Sequence, residues 1–165
     1  MASKRTMRKT KVASQPTSSS SVRSRAIKNG YRSGLEDKTS KQLKECGLEV
    51  LYETERYAYR WPSRLSTYTP DFKLPKRGGF FYVETKGLWT VQDRQKCLLV
   101  IDQCGIDLRL VFSNANAKLY KGSPTTYAAF CDKHGIPWAH KSIPDDWIRE
   151  SKDAISNSST MGSGE

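Results

Sequence analysis

Two short aromatic-rich stretches separated by a pair of glycines constrain this fold more than any other feature of the sequence. Thr69–Lys76 and Phe80–Lys86 both mix apolar and polar residues in the manner of strands. Glycine at the point between them favours a tight turn, so the pattern predicts a β-hairpin. Strands near a core seldom carry charge, yet Asp71, Glu84 and Lys86 lie on this hairpin. The fold must therefore accommodate two acids and an amine close together.

The spacing of these charged residues admits two interpretations. Residues two apart on a strand share a face, so Glu84 and Lys86 should point the same way and Thr85 away, with Asp71 on the neighbouring strand. Carboxylates from separate elements beside a lysine are what metal-dependent phosphodiester hydrolysis requires, and the Thr85 carbonyl is a further possible ligand. The alternative is a turn at Asp71 and a surface ion pair on the strand. For so short a pattern, spacing alone favours that alternative.

The remaining segments predict an α/β domain with a central mixed sheet and helices on its faces. Ser33 to Glu36 fits a capping box, and Ser123 followed by proline is typical of a helix start. The predicted elements are a helix from Ser33 to Gly47, an extended segment over 48–61, the hairpin, a helix over 91–103, a strand over 108–112, a helix from Ser123 to Gly135 and a last helical turn over 143–148.

The charge of the chain is concentrated at its N-terminus. Of 28 basic residues, nine lie in residues 1–32 without an acid, which leaves 19 basic against 17 acidic residues elsewhere. We expect residues 1–31 to be a disordered basic arm, 32–150 the folded domain and 151–165 a flexible tail. The arm predicts a nucleic-acid partner, and a transit peptide is the alternative. The basic residues of this region are Lys4, Arg5, Arg8, Lys9, Lys11, Arg23, Arg25, Lys28 and Arg32.

The sequence also limits where the protein works. It has no apolar run long enough to span a membrane and no apolar core of a secretory signal, so we expect an intracellular protein. The four cysteines lack zinc-binding spacing, and we expect reduced thiols rather than disulfides. They are Cys46, Cys97, Cys104 and Cys131.

Longer motifs support a family resemblance that Asp71, Glu84 and Lys86 alone do not support. Six segments occur in one order: RSGLEDK at 32–38, SKQL at 40–43, YTPDF at 68–72, VETKGLW at 83–89, LYKGSPT at 119–125 and FCDKHGI at 130–136. From about Arg32 to Glu150 the chain resembles the phage endonuclease I family. These are junction-resolving enzymes of podophages within the PD-(D/E)xK nuclease superfamily.

The resemblance implies a restriction-endonuclease-like core that uses Mg²⁺ or Mn²⁺ and no organic cofactor. Asp71, Glu84 and the Thr85 carbonyl would hold one metal ion of a two-metal site, and Glu36 and Asp71 the other. Lys86 would assist the attacking water or the transition state. The implied reaction is paired cleavage of branched DNA, above all four-way (Holliday) junctions.

The resemblance also implies an intertwined homodimer. Glu36 of one chain would then join Asp71, Glu84 and Lys86 of the other, with the segment over 48–66 as the bridge, although the sequence equally allows an ordinary hairpin there. A symmetric dimer with two sites suits the two cuts of a symmetric junction.

Phosphate contacts are expected from the basic arm and from Lys118 and Lys121, with Lys73, Lys76 and Arg77 as further candidates. The arm is longer than is usual in the family, which bears on DNA affinity more than on chemistry. Two other classes of function remain open. One is an architectural nucleic-acid-binding protein without catalysis, and the other is a nuclease of the same fold with a different DNA target.

Overall fold

A computed structural model describes residues 24–61 and 64–160 of the chain. The helices are α1 (Gly34–Glu45), α2 (Val91–Cys104), α3 (Tyr127–His134) and α4 (Asp145–Thr160), and residues 24–28 form a short helical turn. The strands are β1 (Leu51–Tyr52), β2 (Tyr57–Trp61), β3 (Arg64–Tyr68), β4 (Phe72–Lys76), β5 (Gly79–Lys86), β6 (Leu108–Phe112) and β7 (Trp138–His140).

The predicted α/β architecture with a central mixed sheet is confirmed. Five strands form one sheet in the order β1-β4-β5-β6-β7. The β1–β4 and β4–β5 pairs are antiparallel, whereas β5–β6 and β6–β7 are parallel. Strands β2 and β3 form a separate antiparallel hairpin, in which β2 lies within the segment over 48–61 that we expected to be extended and β3 follows it.

Helices cover both faces of this sheet because its central strands are buried on both sides. On β6, Leu108, Leu110 and Phe112 join the core cluster that includes residues of α2 and α3. Val111 points into the second cluster, which includes Leu43 of α1 and residues of α4. This alternation explains why β6 is buried along its whole length, with its one charged residue, Arg109, packed over the ring of Phe81.

The hairpin that the sequence predicted most directly is formed by β4 and β5. Its last pair is Lys76 with Gly79, so Arg77 and Gly78 make a two-residue turn. Gly78 has φ +78°, a left-handed conformation that glycine adopts without the penalty of a Cβ. Strand β4 begins only at Phe72, which leaves Asp71 just outside the ladder.

The predicted start of α3 is wrong by several residues. The hydroxyl of Ser123 accepts from the N–H of Thr125 at 3.1 Å and closes a local turn instead of capping the helix. The helix begins at Tyr127, where the hydroxyl of Thr126 accepts from the N–H of Ala129. Its predicted end is confirmed, since Gly135 adopts the left-handed conformation there.

Helical structure is present in part of each segment that we expected to be a tail. Helix α4 continues to Thr160, ten residues into the segment from 151 that we expected to be loose, and it packs Trp147, Ile148 and Ser151 into buried positions. At the other end, Ala26 is buried and Asn29 donates to Asp37 at 2.8 Å. Residues 24–31 thus belong to the domain, while residues 1–23 and 161–165 lie outside the described part of the chain.

Two other expectations can be compared with the structure. The four cysteines are free thiols, two buried and two partly buried. Among the described residues, no helix is both long enough and apolar enough to cross a membrane.

Candidate active site

A polar cavity of about 530 Å³ opens where β5 ends and α1 begins. Its walls include the four predicted catalytic residues, Glu36, Asp71, Glu84 and Lys86, together with Thr85. The fold therefore brings together in one chain the side chains that the sequence separated by up to fifty residues.

Asp71 is fixed by the strand that it faces. Its Oδ2 accepts from both the N–H and the hydroxyl of Thr85, at 2.8 Å each. Because β4 begins only at Phe72, the Asp71 carboxylate takes the place of a backbone acceptor at this point of β5. The predicted separation of Thr85 from the charged groups is wrong in this respect, since its hydroxyl contacts Asp71.

The carbonyl of Thr85 faces the same side of β5 as Asp71. In an extended strand the N–H and C=O of one residue point the same way, and neighbouring residues point to opposite edges. The Thr85 N–H is bound by Asp71, while the Lys86 carbonyl on the other edge accepts from Ser113 N at 3.0 Å. The Thr85 carbonyl therefore points past the end of β4 rather than towards β6.

Glu84 and Lys86 share a face of β5, as predicted. Lys86 Nζ lies 2.6 Å from Glu84 Oε1 and 4.0 Å from Asp93 Oδ1. Burial opposes the charge on Lys86, but the charge and hydrogen bond of Glu84, together with the charges of Asp93 and Asp71, raise the pKa of the lysine. The other oxygen, Glu84 Oε2, is buried and has no hydrogen-bond partner among the described residues. The Glu84–Lys86 pair is therefore largely buried, and one of its carboxylate oxygens makes no hydrogen bond to the described residues. It is not the exposed surface pair of the alternative interpretation.

The two buried acids, Asp71 and Glu84, repel each other electrostatically. Burial, and then the charge of Glu84, raise the pKa of Asp71 to about 7, although the hydrogen bonds from Thr85 oppose the rise. Burial and the nearby Glu84 also raise the pKa of the Tyr68 hydroxyl. Two cations offset part of this charge: Lys86 contacts Glu84, and the guanidinium of Arg32 lies 3.8 Å from Asp71 Oδ1.

Glu36 reaches the same cavity from the first turn of α1. The N–H of Glu36 is capped by the Ser33 hydroxyl at 3.2 Å, as the capping box predicts. The reciprocal half of the box is absent, since Glu36 Oε2 accepts instead from Arg32 N at 2.9 Å and from the Tyr52 hydroxyl at 2.5 Å. The negative charge of Glu36 also contributes to the raised pKa of Asp71. Glu36 is therefore electrostatically coupled to Asp71.

Two residues of the site were missed by sequence reasoning. Tyr52 holds Glu36, and Glu53 lines the cavity, contacts the guanidinium of Arg32 and donates its N–H to the Asp71 carbonyl at 2.7 Å. Glu53 has φ +50°, a left-handed conformation that is uncommon outside glycine and typical of functional sites. Both lie in a segment whose alternation predicts only extended chain.

The predicted DNA-contact residues fall into three groups. Lys4, Arg5, Arg8, Lys9, Lys11 and Arg23 lie outside the described residues. Exposed positions hold Arg25, Lys28, Arg32, Arg77, Lys118 and Lys121. Lys73 and Lys76 are engaged in ion pairs with Glu55 and Asp107, which leaves them less available to phosphates.

The donor set of the cavity suits a hard divalent cation, which prefers oxygen ligands. Asp71 Oδ1, Glu84 Oε2 and the Thr85 carbonyl are oxygens at or near one edge of β5. Asp71 Oδ1 lies 3.8 Å from the exposed guanidinium of Arg32, and Glu84 Oε2 has no hydrogen-bond partner among the described residues. No three His, Cys, Asp or Glu side chains within residues 24–61 and 64–160 converge closely enough to bind a metal by themselves. The fit thus rests on two carboxylates and a backbone oxygen.

Comparison with known proteins identifies the family of the chain. The chain is 53% identical over 126 residues to Endonuclease I of Escherichia phage T7, covering 76% of this chain and 83% of that protein. It is 51% identical over 126 residues to Endodeoxyribonuclease 1 of Enterobacteria phage T3, covering 76% and 81%. The sequence profile of Phage endonuclease I matches residues 18–164. Glu36, Asp71, Glu84 and Lys86 all lie within that match, and the chain belongs to the phage endonuclease I family.

Proposed function

We propose that this protein is a divalent-metal-dependent DNA endonuclease that resolves four-way junctions and other branched DNA by paired phosphodiester hydrolysis. The observation that carries the proposal is the pair of buried acids beside Lys86 in an open polar cavity. Burying two carboxylates close together is costly even with Lys86 beside them, and Glu84 Oε2 lacks a hydrogen-bond partner among the described residues. Binding a divalent cation would offset that cost. The names of the two phage relatives support DNA as the substrate.

Mg²⁺ or Mn²⁺ is the proposed cofactor, with two ions per site. Asp71, Glu84 and the Thr85 carbonyl would hold the first, and Glu36 and Asp71 the second. When bound, such ions neutralise phosphate charge and lower the pKa of water so that it can attack at neutral pH.

The protein's own groups prepare the site for that chemistry. Lys86 stays protonated because Glu84 raises its pKa, so it can donate hydrogen bonds to an attacking water or to the phosphate oxygens. Thr85 fixes the rotamer of Asp71 through two hydrogen bonds. Tyr52 and the Arg32 N–H do the same for Glu36. Positioning of this kind lowers the entropic cost of bringing nucleophile and phosphate together.

The activity is tested on a labelled immobile four-way junction and a linear duplex of matched sequence, each with Mg²⁺ and with EDTA. We expect paired nicks in the junction with Mg²⁺, slow cleavage of the duplex and no cleavage in EDTA. Tight junction binding without cleavage would move the protein to the architectural class. Equal cleavage of both DNAs would favour a same-fold nuclease with a different target.

We further propose that the working form is an intertwined homodimer. In one chain, β2 and β3 fold back on each other, and they connect α1, which carries Glu36, to β4 and β5, which carry the triad. Opening this hairpin would let the two halves pair with those of a second chain while leaving each half intact. Exchange of identical elements is a low-cost route to a dimer.

A mixed dimer of Glu36→Ala and Glu84→Ala chains tests the exchange. If sites are shared between chains, both lesions fall in one site and the other is intact, so the mixed dimer should nick one strand at about half the wild-type rate per dimer. If each chain keeps its own site, both sites carry a lesion and nicking is lost. The two homodimers of single variants, each expected to be inactive, are the controls.

A further inference from the structure

An exposed apolar pair lies immediately beyond the catalytic strand. Leu88 is 74% exposed and Val91 is 58% exposed, and Leu88 follows Lys86 by only two residues. Two residues span at most about 7 Å, so the Cα atom of Leu88 lies within that distance of the Cα atom of Lys86, which lines the cavity. Single exposed leucines are common. Leu88 differs because hydrogen bonds fix the backbone on both sides of it.

The backbone on both sides of Leu88 is fixed. Before it, the Lys86 carbonyl accepts from Ser113 N at 3.0 Å. After it, Trp89 is fully buried, its N–H donates to the Tyr127 hydroxyl at 3.1 Å and its carbonyl accepts from Arg94 at 2.7 Å. The loop is thus anchored at each end and presents Leu88 outward with little freedom to fold it back onto the core.

The surroundings of this apolar pair are suited to DNA. Lys86 and Lys96 both line the cavity at the end of β5. The segment after β6 is joined to the end of β5 by the hydrogen bond from Ser113 N to the Lys86 carbonyl, and it carries the exposed Lys118 and Lys121. Such a surface combines phosphate-binding cations with a small apolar projection. A protein partner would call for a larger apolar patch than two side chains.

We propose that Leu88, supported by Val91, is an apolar wedge that packs on the face of an unstacked base at the branch point of the DNA. Apolar side chains of architectural proteins insert between base steps of a continuous duplex, at an unstacking cost for each step. That cost is lower where strands exchange, because the stack is already interrupted there. The wedge would therefore favour branched over linear DNA at the same catalytic site.

This inference rests on the proposed junction-resolving function, and it explains how one hydrolytic site could discriminate between DNA shapes. The phosphate contacts of lysines are sequence- and largely shape-independent in energy. Burying a leucine side chain on a base supplies a contribution that costs less unstacking at a branch than in a duplex. The expected size is about a tenfold preference, from the usual gain on burying part of a leucine.

The test compares Leu88→Ala with Ile155→Ala, which removes a similar exposed aliphatic side chain from α4, a helix that does not line the cavity. We expect Leu88→Ala to lower the ratio of junction to duplex kcat/KM roughly tenfold, and Ile155→Ala to leave it unchanged. An unchanged ratio in Leu88→Ala, or an equal fall in both variants, would overturn the wedge. Absence of junction cleavage by the wild type would instead overturn the proposed function.

A second measurement keeps the wedge testable without cleavage. In the Glu84→Gln background, a junction carrying 2-aminopurine at the branch should change fluorescence on binding, because the base leaves its stack against Leu88. Adding Leu88→Ala should remove most of that change at saturating protein, while adding Ile155→Ala should not. A signal that is identical in both double variants would contradict a contact between Leu88 and the branch base.

Discussion

Replacing Glu84 by glutamine is expected to reduce junction cleavage roughly a thousandfold or more while leaving junction binding within about twofold. The substitution keeps the volume of the side chain but removes the charge of a buried oxygen that has no partner within the described chain. It also weakens the attraction that raises the pKa of Lys86. Single-turnover cleavage with excess enzyme, alongside a binding titration in Ca²⁺ or EDTA, separates the two effects.

The matched control is Glu49→Gln, the same change at an exposed position that does not line the cavity. It should cleave like the wild type. Cleavage by Glu84→Gln within tenfold of the wild type would remove Glu84 from the catalytic site. Loss of binding in parallel with cleavage would mean that Glu84 holds the fold or the DNA rather than the reacting centre.

The core of the site was predictable because it is local in sequence. Glu84 and Lys86 share a face by strand alternation, and a two-residue turn fixes the register that places Asp71 opposite them. Both facts follow from residues within a single hairpin. The position of Glu36 in the same cavity was expected only from the family resemblance, since nothing in the spacing links α1 to β5.

The parts that sequence reasoning missed depend on contacts between distant segments. Tyr52 and Glu53 enter the site because β1 pairs with β4, and a two-residue strand leaves no periodic signal. Helix α4 continues past residue 151 because Trp147 and Ile148 pack on the sheet and anchor a polar helix. The Ser123 turn shows the converse, where a good helix-start signal was overridden by hydrogen bonds within a loop.

In the absence of metal, the protein should lose stability as the pH rises from about 4 to about 7, and Asp71 is the cause. The carboxyl of Asp71 has an ordinary pKa of 3.8, and burial and Glu84 raise its pKa to about 7 in the folded protein. Between these values the folded state binds the proton more tightly than the unfolded state, so deprotonation favours unfolding. The contribution is roughly 2 to 4 kcal/mol, present below pH 4 and lost above pH 7.

The comparison with Asp71→Asn in EDTA isolates this contribution, because the other titrating groups are common to both proteins. Chemical denaturation at pH 4 and pH 8 should show the variant gaining roughly 2 to 4 kcal/mol relative to the wild type at the higher pH. The exposed Asp102→Asn should show no such gain.

Addition of Mg²⁺ at pH 8 provides the reverse test, because a cation that binds only the folded protein stabilises it by mass action, about 2.7 kcal/mol at a hundred times its Kd. The wild type should recover stability with Mg²⁺, and Asp71→Asn should recover little, since one ligand charge is gone. Equal stabilisation of both proteins would place the bound metal elsewhere. A wild type that Mg²⁺ leaves unchanged, with the pH dependence intact, would mean that the buried acids destabilise the fold without serving a cation.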